Sequence, residues 1–190
     1  MTGFSARTVR SFEVAREAFR LLTANGIQTA IVGSVAVAVH GYPRATRDLD
    51  LGVAVVAFKV LQPAAAELRK LGYDVHASEP SVDDPVGGII TVSGDDFDPI
   101  EIVNLRSPGG RYGRVAREAI ASAQQLAELG LPVVDLPHLV ALKLVAGSRK
   151  DELDVLELLR ANPEKVDDVV AACGKYRLRK HLERVLATPD

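Results

Sequence analysis

The spacing of hydrophobic positions divides the chain into helices and short strands. Phe12, Ala15 and Phe19 recur at helical spacing, which predicts a helix over residues 7–23. Over residues 48–55 the pattern changes to an alternation of apolar side chains with two aspartates and a glycine, which is typical of a strand with one buried face. This change of period indicates that the chain combines helices with a β-sheet.

The other elements are predicted from shorter apolar runs bounded by Gly, Pro and Asn. Strands are expected over residues 28–32, 73–77, 88–92, 100–105 and 131–136. Helices are expected over residues 35–40, 63–72, 115–122, 137–146, 150–161, 163–173 and 176–187, with connections or breaks at residues 79–85, 108–113, 147–148, 162–163 and 174. This order predicts an α/β (α+β) fold: a mixed sheet flanked by helices over residues 1–136, with a helical region over residues 137–190 packed on it.

Composition restricts the classes of protein that fit this pattern. The chain has 190 residues, 47% of them hydrophobic, which is enough to bury a sizeable core in one domain with a helical appendage. The net charge of −2 argues against a protein that coats nucleic acid. A basic run at residues 177–181 can still grip RNA or a partner, although such a run is usually a solvated helix face. Cys173 is the only cysteine, which excludes a disulfide framework and a Cys-based zinc site.

The sequence has no signal peptide, no membrane-spanning segment and no histidine spacing typical of a metal site. The N-terminus lacks the apolar core of a signal peptide, and no later segment is long and apolar enough to span a bilayer. We therefore expect a cytoplasmic protein with no membrane partner. The four histidines, at positions 40, 76, 138 and 181, lack metal-ligand spacing and are expected to be packed or solvated.

Two carboxylates share one face of the predicted strand at residues 48–55. Asp48 and Asp50 are two positions apart, so their side chains project from the same side of the strand. Adjacent carboxylates repel each other, and a cation that binds both removes this cost. Mg²⁺ prefers oxygen ligands and keeps positions for water and substrate phosphates, so the pair suits a magnesium-bound nucleoside triphosphate. Two solvated aspartates on an exposed strand are the alternative.

A Gly-Ser pair precedes this strand, at the point where a buried strand turns into a helix. Gly33 permits close approach of the backbone, and the unpaired N–H groups that begin a helix attract phosphate. Ser34 adds a hydroxyl donor, and capping the helix is its alternative role. The order of strand, Gly-Ser turn, helix and Asp-x-Asp strand therefore predicts a phosphate site beside a metal site.

A third carboxylate is expected on a neighbouring strand. Glu101 lies between two isoleucines in a strand pattern. Beside the two aspartates it would hold a second metal ion, or orient and deprotonate an attacking hydroxyl. Asp98 is the competing third acid, although its position before a proline is typical of a turn. An edge-strand glutamate that faces water is the remaining alternative for Glu101.

These residues resemble the motif of the nucleotidyltransferase superfamily typified by DNA polymerase beta. That motif is a Gly-Gly or Gly-Ser turn, an acid-x-acid strand and a third acidic strand residue, which is Glu here where Asp is commoner. The run VGSVAVAVHGYPRATRDLDLGV is similar to the small stand-alone branch that includes AbiE-type toxins. LPHLVALKLVAGSRKDELDVLELL is similar to the C-terminal signature of that branch, and the resemblance covers roughly residues 28–160.

The resemblance implies a role for each acidic residue and for the Gly-Ser pair. Asp48 and Asp50 would bind Mg²⁺, with Mn²⁺ as the alternative ion, and Glu101 would complete the metal site. Gly33 and Ser34 would hold the triphosphate. The fold implied is a nucleotidyltransferase-like mixed sheet with a helical C-terminal part.

The resemblance also implies roles outside the acidic motif. Lys143, on an apolar helix, would reach the phosphates. The alternative for Lys143 is a structural role, in which its aliphatic stem covers part of the core surface. Arg44 and Thr46 would position the nucleotide or stabilise the turn before the metal strand. Asp151 and Asp154 share a helical face and are expected to be mainly structural, or to pair with Lys143 or Arg149.

The expected activity is transfer of a nucleoside monophosphate from a nucleoside triphosphate such as ATP to a hydroxyl, with release of pyrophosphate. Within the branch that the chain resembles, the acceptor would be tRNA or a protein, and the chain would be a toxin with an antitoxin partner. A small-molecule acceptor such as an aminoglycoside has less support. The alternatives are a non-catalytic nucleotide-binding or partner-binding module on the same fold, and a scaffold whose carboxylates decorate the surface.

Overall fold

The computed structural model describes residues 5–46, 48–81, 86–106 and 113–187. The helices are α1 (Ala6–Ala24), α2 (Gly33–Val39), α3 (Gln62–Lys70), α4 (Gly113–Ala121), α5 (Leu136–Ala146), α6 (Arg149–Ala161), α7 (Val166–Lys175) and α8 (Arg179–Leu186). The strands are β1 (Thr29–Ile31), β2 (Leu49–Val53), β3 (Asp74–Ser78), β4 (Ile89–Ser93), β5 (Ile100–Asn104), β6 (Gln124–Leu126) and β7 (Leu131–Val133). Short 3-10 turns, Phe58–Leu61 and Pro163–Lys165, precede α3 and α7.

The described strands form one mixed sheet with the order β3-β4-β5-β2-β1-β7-β6. β2 is parallel to β5 and antiparallel to β1, while β1 is parallel to β7. The two strands expected to carry the three acids therefore lie side by side near the middle of the sheet. The predicted mixed sheet flanked by helices is confirmed.

Burial of aliphatic side chains explains why the long elements form where the pattern predicts them. Phe12, Ala15 and Leu22 face the core from α1, and Leu51 and Ile102 are fully buried on β2 and β5. Each buried leucine or isoleucine contributes roughly 1.5–3 kcal/mol relative to an exposed one. These side chains fix the face that each element presents to the sheet.

Several predicted boundaries shift for local reasons. α2 begins at Gly33 rather than residue 35, so the Gly-Ser pair forms the first turn of the helix. The strand predicted over residues 131–136 ends at Val133, because the Asp135 side chain caps α5 by accepting from the His138 N–H. The predicted break at residues 108–113 and part of the one at residues 79–85 lie outside the described residues.

The predicted break at Gly174 is wrong, because α7 continues through Gly174 to Lys175. The helix ends instead at residues 176–178, where the Leu178 N–H donates to the Cys173 carbonyl and the Arg177 N–H donates to the Gly174 carbonyl. This pair of bonds is a Schellman motif, in which the residue after the cap takes a left-handed conformation. Arg177 occupies that position with φ 60°.

The turn between α5 and α6 consists of Gly147 and Ser148. Gly147 ends α5 in the left-handed region (φ 67°), where a glycine has no Cβ to strain. The Ser148 side chain accepts from the Asp151 N–H, and the Asp151 carboxylate accepts from the Ser148 N–H, which forms a capping box. The turn thereby holds the start of α6 against the end of α5.

Contacts also cross the predicted domain boundary near residue 136. The Asn162 side chain at the end of α6 donates to the His40 carbonyl at 2.7 Å.

Cys173 is completely buried in α7, and burial raises the pKa of its thiol to about 11. Among the described residues, no helix is long and apolar enough to cross a membrane.

Candidate active site

Three carboxylates meet where β2 and β5 lie side by side. Asp48 precedes the first residue of β2, and the strand register places Asp50 directly beside Glu101. One oxygen atom from each of the three side chains lies within 4.8 Å of the other two. In the described part of the chain, this is the one group of three or more acidic, His or Cys side chains at metal-ligand spacing.

Asp98, the competing third acid, is not part of this cluster and pairs with α1. Its carboxylate accepts from Arg7 Nε at 2.6 Å, and its backbone N–H donates to Ser11 Oγ at 2.9 Å. These bonds fasten α1 to the connection between β4 and β5. The structure therefore brings Glu101, and not Asp98, beside the Asp pair.

Burial and the charges of neighbouring acids raise the pKa values of two of the three carboxyl groups. Burial, followed by the charges of Asp48 and Glu101, raises the pKa of Asp50 to about 7. Burial and the charge of Asp48 also raise the pKa of Glu101. Protonation relieves such repulsion, and so does a divalent cation. Three carboxylates at this spacing are oxygen donors of the kind that Mg²⁺ accepts, so the residues present fit that ion.

Gly33 leaves the space that the Asp50 carboxylate occupies. It adopts φ 61°, and a Cβ atom there would lie 1.8 Å from Asp50 Oδ2. The backbone N–H of the next residue, Ser34, donates to Asp50 and partly offsets the rise in its pKa. A glycine is thus required both by the backbone conformation and by close approach to a carboxylate of the acidic cluster.

Replacing Gly33 by alanine is expected to displace the Asp50 carboxylate and to abolish stabilisation of the protein by Mg²⁺. Gly26→Ala is a matched control, because Gly26 also has a left-handed φ of 72° but a Cβ there meets nothing within 4 Å. Both variants should lose about 1–2 kcal/mol from backbone strain. Thermal unfolding with and without MgCl₂ separates the two effects. Equal responses of both variants to Mg²⁺ would contradict the prediction.

The Ser34 hydroxyl is a buried polar group that lacks a hydrogen-bond partner within the described residues. The side chain is 4% exposed, and its backbone rather than its hydroxyl contacts Asp50. A buried hydroxyl without a partner costs about 1–3 kcal/mol. Ser34 therefore presents an unused donor beside the acidic cluster, as expected for a group that meets a ligand.

Lys143 and Arg44 both contact α6, where the carboxylate of Asp154 lies between them. Lys143 Nζ lies 2.8 Å from Asp151 Oδ1 and 2.7 Å from Asp154 Oδ2. Arg44 donates to both oxygens of Asp154, with Nε at 2.8 Å and Nη2 at 3.1 Å. The predicted pairing of Asp151 and Asp154 with Lys143 is present. The Arg44 contact was not predicted from the sequence.

Lys143 also acts on the acidic cluster. Its charge lowers the pKa of Asp50, although this effect is smaller than those of burial, Asp48 and Glu101. The ammonium group is thus close enough to matter electrostatically while its own position is fixed by α6. This side chain is therefore held at the edge of the site rather than extended along the core surface.

Thr46 holds the first aspartate of the pair. Its Oγ1 donates to Asp48 Oδ1 at 2.5 Å, which orients that carboxylate. The sequence predicted either a nucleotide contact or a turn role for Thr46. The Thr-x-Asp spacing is the signal that could have revealed this local hydrogen bond.

A cavity of about 170 Å³ adjoins the acidic cluster on the Asp50 side. Its polar lining comes from Asp50, Lys143 and Asp151, and its remaining walls are largely aliphatic, including Leu105 and Leu142. Drug-sized ligands need roughly 300–1,000 Å³. The cavity is therefore large enough for only part of a nucleoside triphosphate.

Comparison with solved structures identifies the fold. The ANT(2″)-Ia structure in complex with adenylyl-2″-tobramycin matches with a TM-score of 0.51 and 13% identity, covering 90% of this chain and 99% of that chain. A nucleotidyltransferase-like protein from Paracoccidioides brasiliensis matches with a TM-score of 0.48 and 13% identity, over 94% of this chain and 95% of its own. No family model and no curated protein matches the chain. The chain therefore has a nucleotidyltransferase-like fold.

Proposed function

We propose that the chain is a magnesium-dependent nucleotidyltransferase. The observation that carries this proposal is the cluster of Asp48, Asp50 and Glu101, whose carboxylate oxygens lie within 4.8 Å of one another on adjacent strands. A half-buried cluster of carboxylates is unfavourable without a bound cation, as the raised pKa of Asp50 indicates. Binding of a divalent cation gives a reason for its presence.

In this proposal the three acids hold Mg²⁺, with Mn²⁺ as the alternative ion. The chemistry that the bound ion supplies is neutralisation of phosphate charge. Gly33 leaves room for the Asp50 carboxylate, and the unused hydroxyl of Ser34 donates to a phosphate oxygen. Thr46 keeps Asp48 oriented toward the cluster.

Besides its place in the acidic cluster, Glu101 acts on the attacking hydroxyl, and Lys143 acts on the triphosphate. Glu101, whose pKa is raised by burial and by Asp48, accepts the proton of the attacking hydroxyl. That hydroxyl oxygen bonds to the α-phosphorus, the bond from this phosphorus to the bridging oxygen breaks, and pyrophosphate leaves. Lys143, positioned by Asp151 and Asp154, donates to the triphosphate and offsets its charge. Arg44 contributes by holding Asp154 in place.

The aliphatic cavity beside Asp50 takes the base or sugar of the nucleotide. The acceptor is a hydroxyl of RNA or of a protein, and the chain acts as a toxin that an antitoxin partner controls. The resemblance of residues 28–160 to AbiE-type nucleotidyltransferases supports this reading.

Label transfer tests the proposal directly. Each radiolabelled nucleoside triphosphate is incubated with MgCl₂, the protein and, in separate reactions, total tRNA, a protein extract or tobramycin. We expect label in the tRNA or protein reaction with the wild type and none with the Asp48→Ala/Asp50→Ala double variant. A stabilising effect of magnesium and nucleotide without any transfer would instead identify a nucleotide-binding module. The absence of both transfer and stabilisation would overturn the proposal.

Binding of Mg²⁺ is expected to release a proton near pH 6. Asp50 is largely protonated there, since its pKa is raised to about 7, and a metal ligand must be deprotonated. Affinity for Mg²⁺ should therefore rise with pH up to about pH 7 and then level off. Calorimetric titration in two buffers of different ionisation enthalpy measures the released proton. An affinity that is constant from pH 5.5 to 8, a range set by this pKa of about 7, would contradict the assignment of Asp50 as a ligand.

A further inference from the structure

A second, larger cavity lies on the far side of the α5 C-terminus. It has a volume of about 610 Å³ and is bounded by the start of α4, the end of α5 and the segment that joins α7 to α8. Its cationic lining consists of Arg114, Lys175, Arg177 and Arg184, with His181 beside them. No Asp or Glu of the described residues lines the cavity. The chain is net negative, so this concentration of positive charge is local.

Arg177 occupies a backbone position that favours glycine. It is the left-handed residue of the Schellman motif that ends α7, with φ 60°. This conformation is unfavourable for a residue with a Cβ, and such strain clusters at functional sites. Glycine would stabilise the turn better, yet the chain carries a long cation that faces a cavity.

Glu118 of α4 contacts three residues that line the cavity, although it does not line the cavity itself. Its carboxylate accepts from Arg114 Nε at 3.0 Å and from the Tyr176 hydroxyl at 2.7 Å, and it pairs with Lys175. Hydrogen bonds from Lys175, Tyr176 and Arg114 hold the pKa of Glu118 down, at about 2. The Glu118 carboxylate thus holds Arg114, Lys175 and the Tyr176 ring in place. The two cations carry two positive charges against its single negative charge, so this wall of the cavity stays positive.

The cavity adjoins the proposed active site through α5. Ala146 lines both this cavity and the smaller one beside Asp50. Lys143 is three residues earlier on the same helix, which is about 4.5 Å along the helix axis. A ligand that fills the basic cavity therefore contacts the same end of α5 that carries Lys143.

We propose that this basic cavity binds the phosphate backbone of the RNA strand that accepts the nucleotide. This inference rests on the proposed function and narrows its acceptor from RNA or protein to RNA. Several cations around one concave surface match successive phosphate groups, and Arg in particular forms paired hydrogen bonds with phosphate. Strands bound in this way are held mainly by charge and depend strongly on salt.

Fluorescence anisotropy tests the proposal with a labelled RNA hairpin that has a single-stranded 3′ end. Binding is measured for the wild type, Arg177→Gly, Arg177→Glu and the control Arg20→Glu, an exposed arginine on α1, over a series of salt concentrations. Arg177→Gly should weaken binding about tenfold, because it removes one charge-assisted hydrogen bond to phosphate. It should also reduce the salt slope by about 0.7, the value for one lost phosphate contact.

The glycine variant separates lost binding from lost folding. Arg177→Gly relieves the left-handed strain, so its melting temperature should equal or exceed that of the wild type. Arg177→Glu should weaken RNA binding further, and Arg20→Glu should bind as the wild type does. Equal binding by all four proteins, or tighter binding of polyglutamate than of RNA, would overturn the proposal.

A parallel measurement distinguishes failure of this inference from failure of the proposed function. Thermal unfolding of the wild type with MgCl₂ and each nucleoside triphosphate reports on the acidic cluster without any RNA. Stabilisation by nucleotide together with no RNA binding would overturn only the basic cavity as an acceptor site. Absence of nucleotide stabilisation would instead count against the proposed function.

Discussion

Replacing Asp50 by asparagine is expected to reduce nucleotide transfer by roughly 10³-fold while making the metal-free protein more stable. Transfer should fall because asparagine removes the charge of one proposed metal ligand, and losing one such electrostatic contact costs about 10²–10³-fold or more. Stability should rise because a half-buried carboxylate flanked by Asp48 and Glu101 no longer has to be charged. The same substitution therefore moves activity and stability in opposite directions.

The gain in stability has a defined pH range. The pKa of Asp50 is raised from 3.8 to about 7 in the folded protein, so the folded state holds this proton more tightly than the unfolded state. The wild type consequently loses stability as pH rises from about 4 to about 7. Asp50→Asn should melt higher than the wild type above pH 7, by about 2–4 °C for each kcal/mol recovered, and the difference should vanish below pH 4.

Asp95→Asn, an exposed aspartate in the connection between β4 and β5, is the matched control. It should leave activity, melting temperature and the response to MgCl₂ unchanged. An Asp50→Asn variant that still transfers nucleotide, or that is still stabilised by Mg²⁺ as strongly as the wild type, would contradict the role of Asp50.

Replacing Asp154 by alanine is expected to lower the free energy of unfolding by about 3–5 kcal/mol, the range for breaking a buried ion pair. Asp154 is 1% exposed, accepts two hydrogen bonds from Arg44 and forms an ion pair with Lys143. Without Asp154, Arg44 loses both of its hydrogen bonds to this carboxylate, while Lys143 keeps its contact with Asp151. Urea denaturation measures the loss. Because Lys143 is then held by one carboxylate instead of two, transfer should fall as well.

Two further variants show whether the loss comes from an uncompensated charge. Asp168→Ala, at an exposed position of α7, should change stability by no more than about 0.5 kcal/mol. The double variant Arg44→Met/Asp154→Leu removes both partners and should recover much of the stability, but not the transfer activity. A loss of less than 1 kcal/mol in Asp154→Ala, well below that range, would contradict the structural role.

The fold was largely predictable because most elements bury one face. The apolar period of α1 and the alternation in β2 follow from that burial, and their bounds agree with the pattern to within a residue or two. β6 was missed because its residues, Gln124–Leu126, are polar or partly exposed and have no pattern of their own. Only its pairing with β7 defines it as a strand.

The candidate site was predictable where chemistry and local spacing coincide. Two aspartates two positions apart on a strand must share a face, so Asp48 and Asp50 were expected together. The register that places Glu101 beside Asp50 depends on the parallel pairing of β2 with β5, which sequence spacing does not determine. The Arg44–Asp154 contact joins residues 110 positions apart and depends on how the C-terminal helices dock.

The single cysteine makes the end of α7 observable without labels. Cys173 is buried and its pKa is raised to about 11, so its thiol reacts with alkylating agents only when α7 opens. Its carbonyl closes the Schellman motif that holds Arg177 in its left-handed conformation. The rate of Cys173 alkylation therefore reports how often this turn opens in the native protein. Any ligand that clamps the turn should slow that chemistry in proportion to its occupancy.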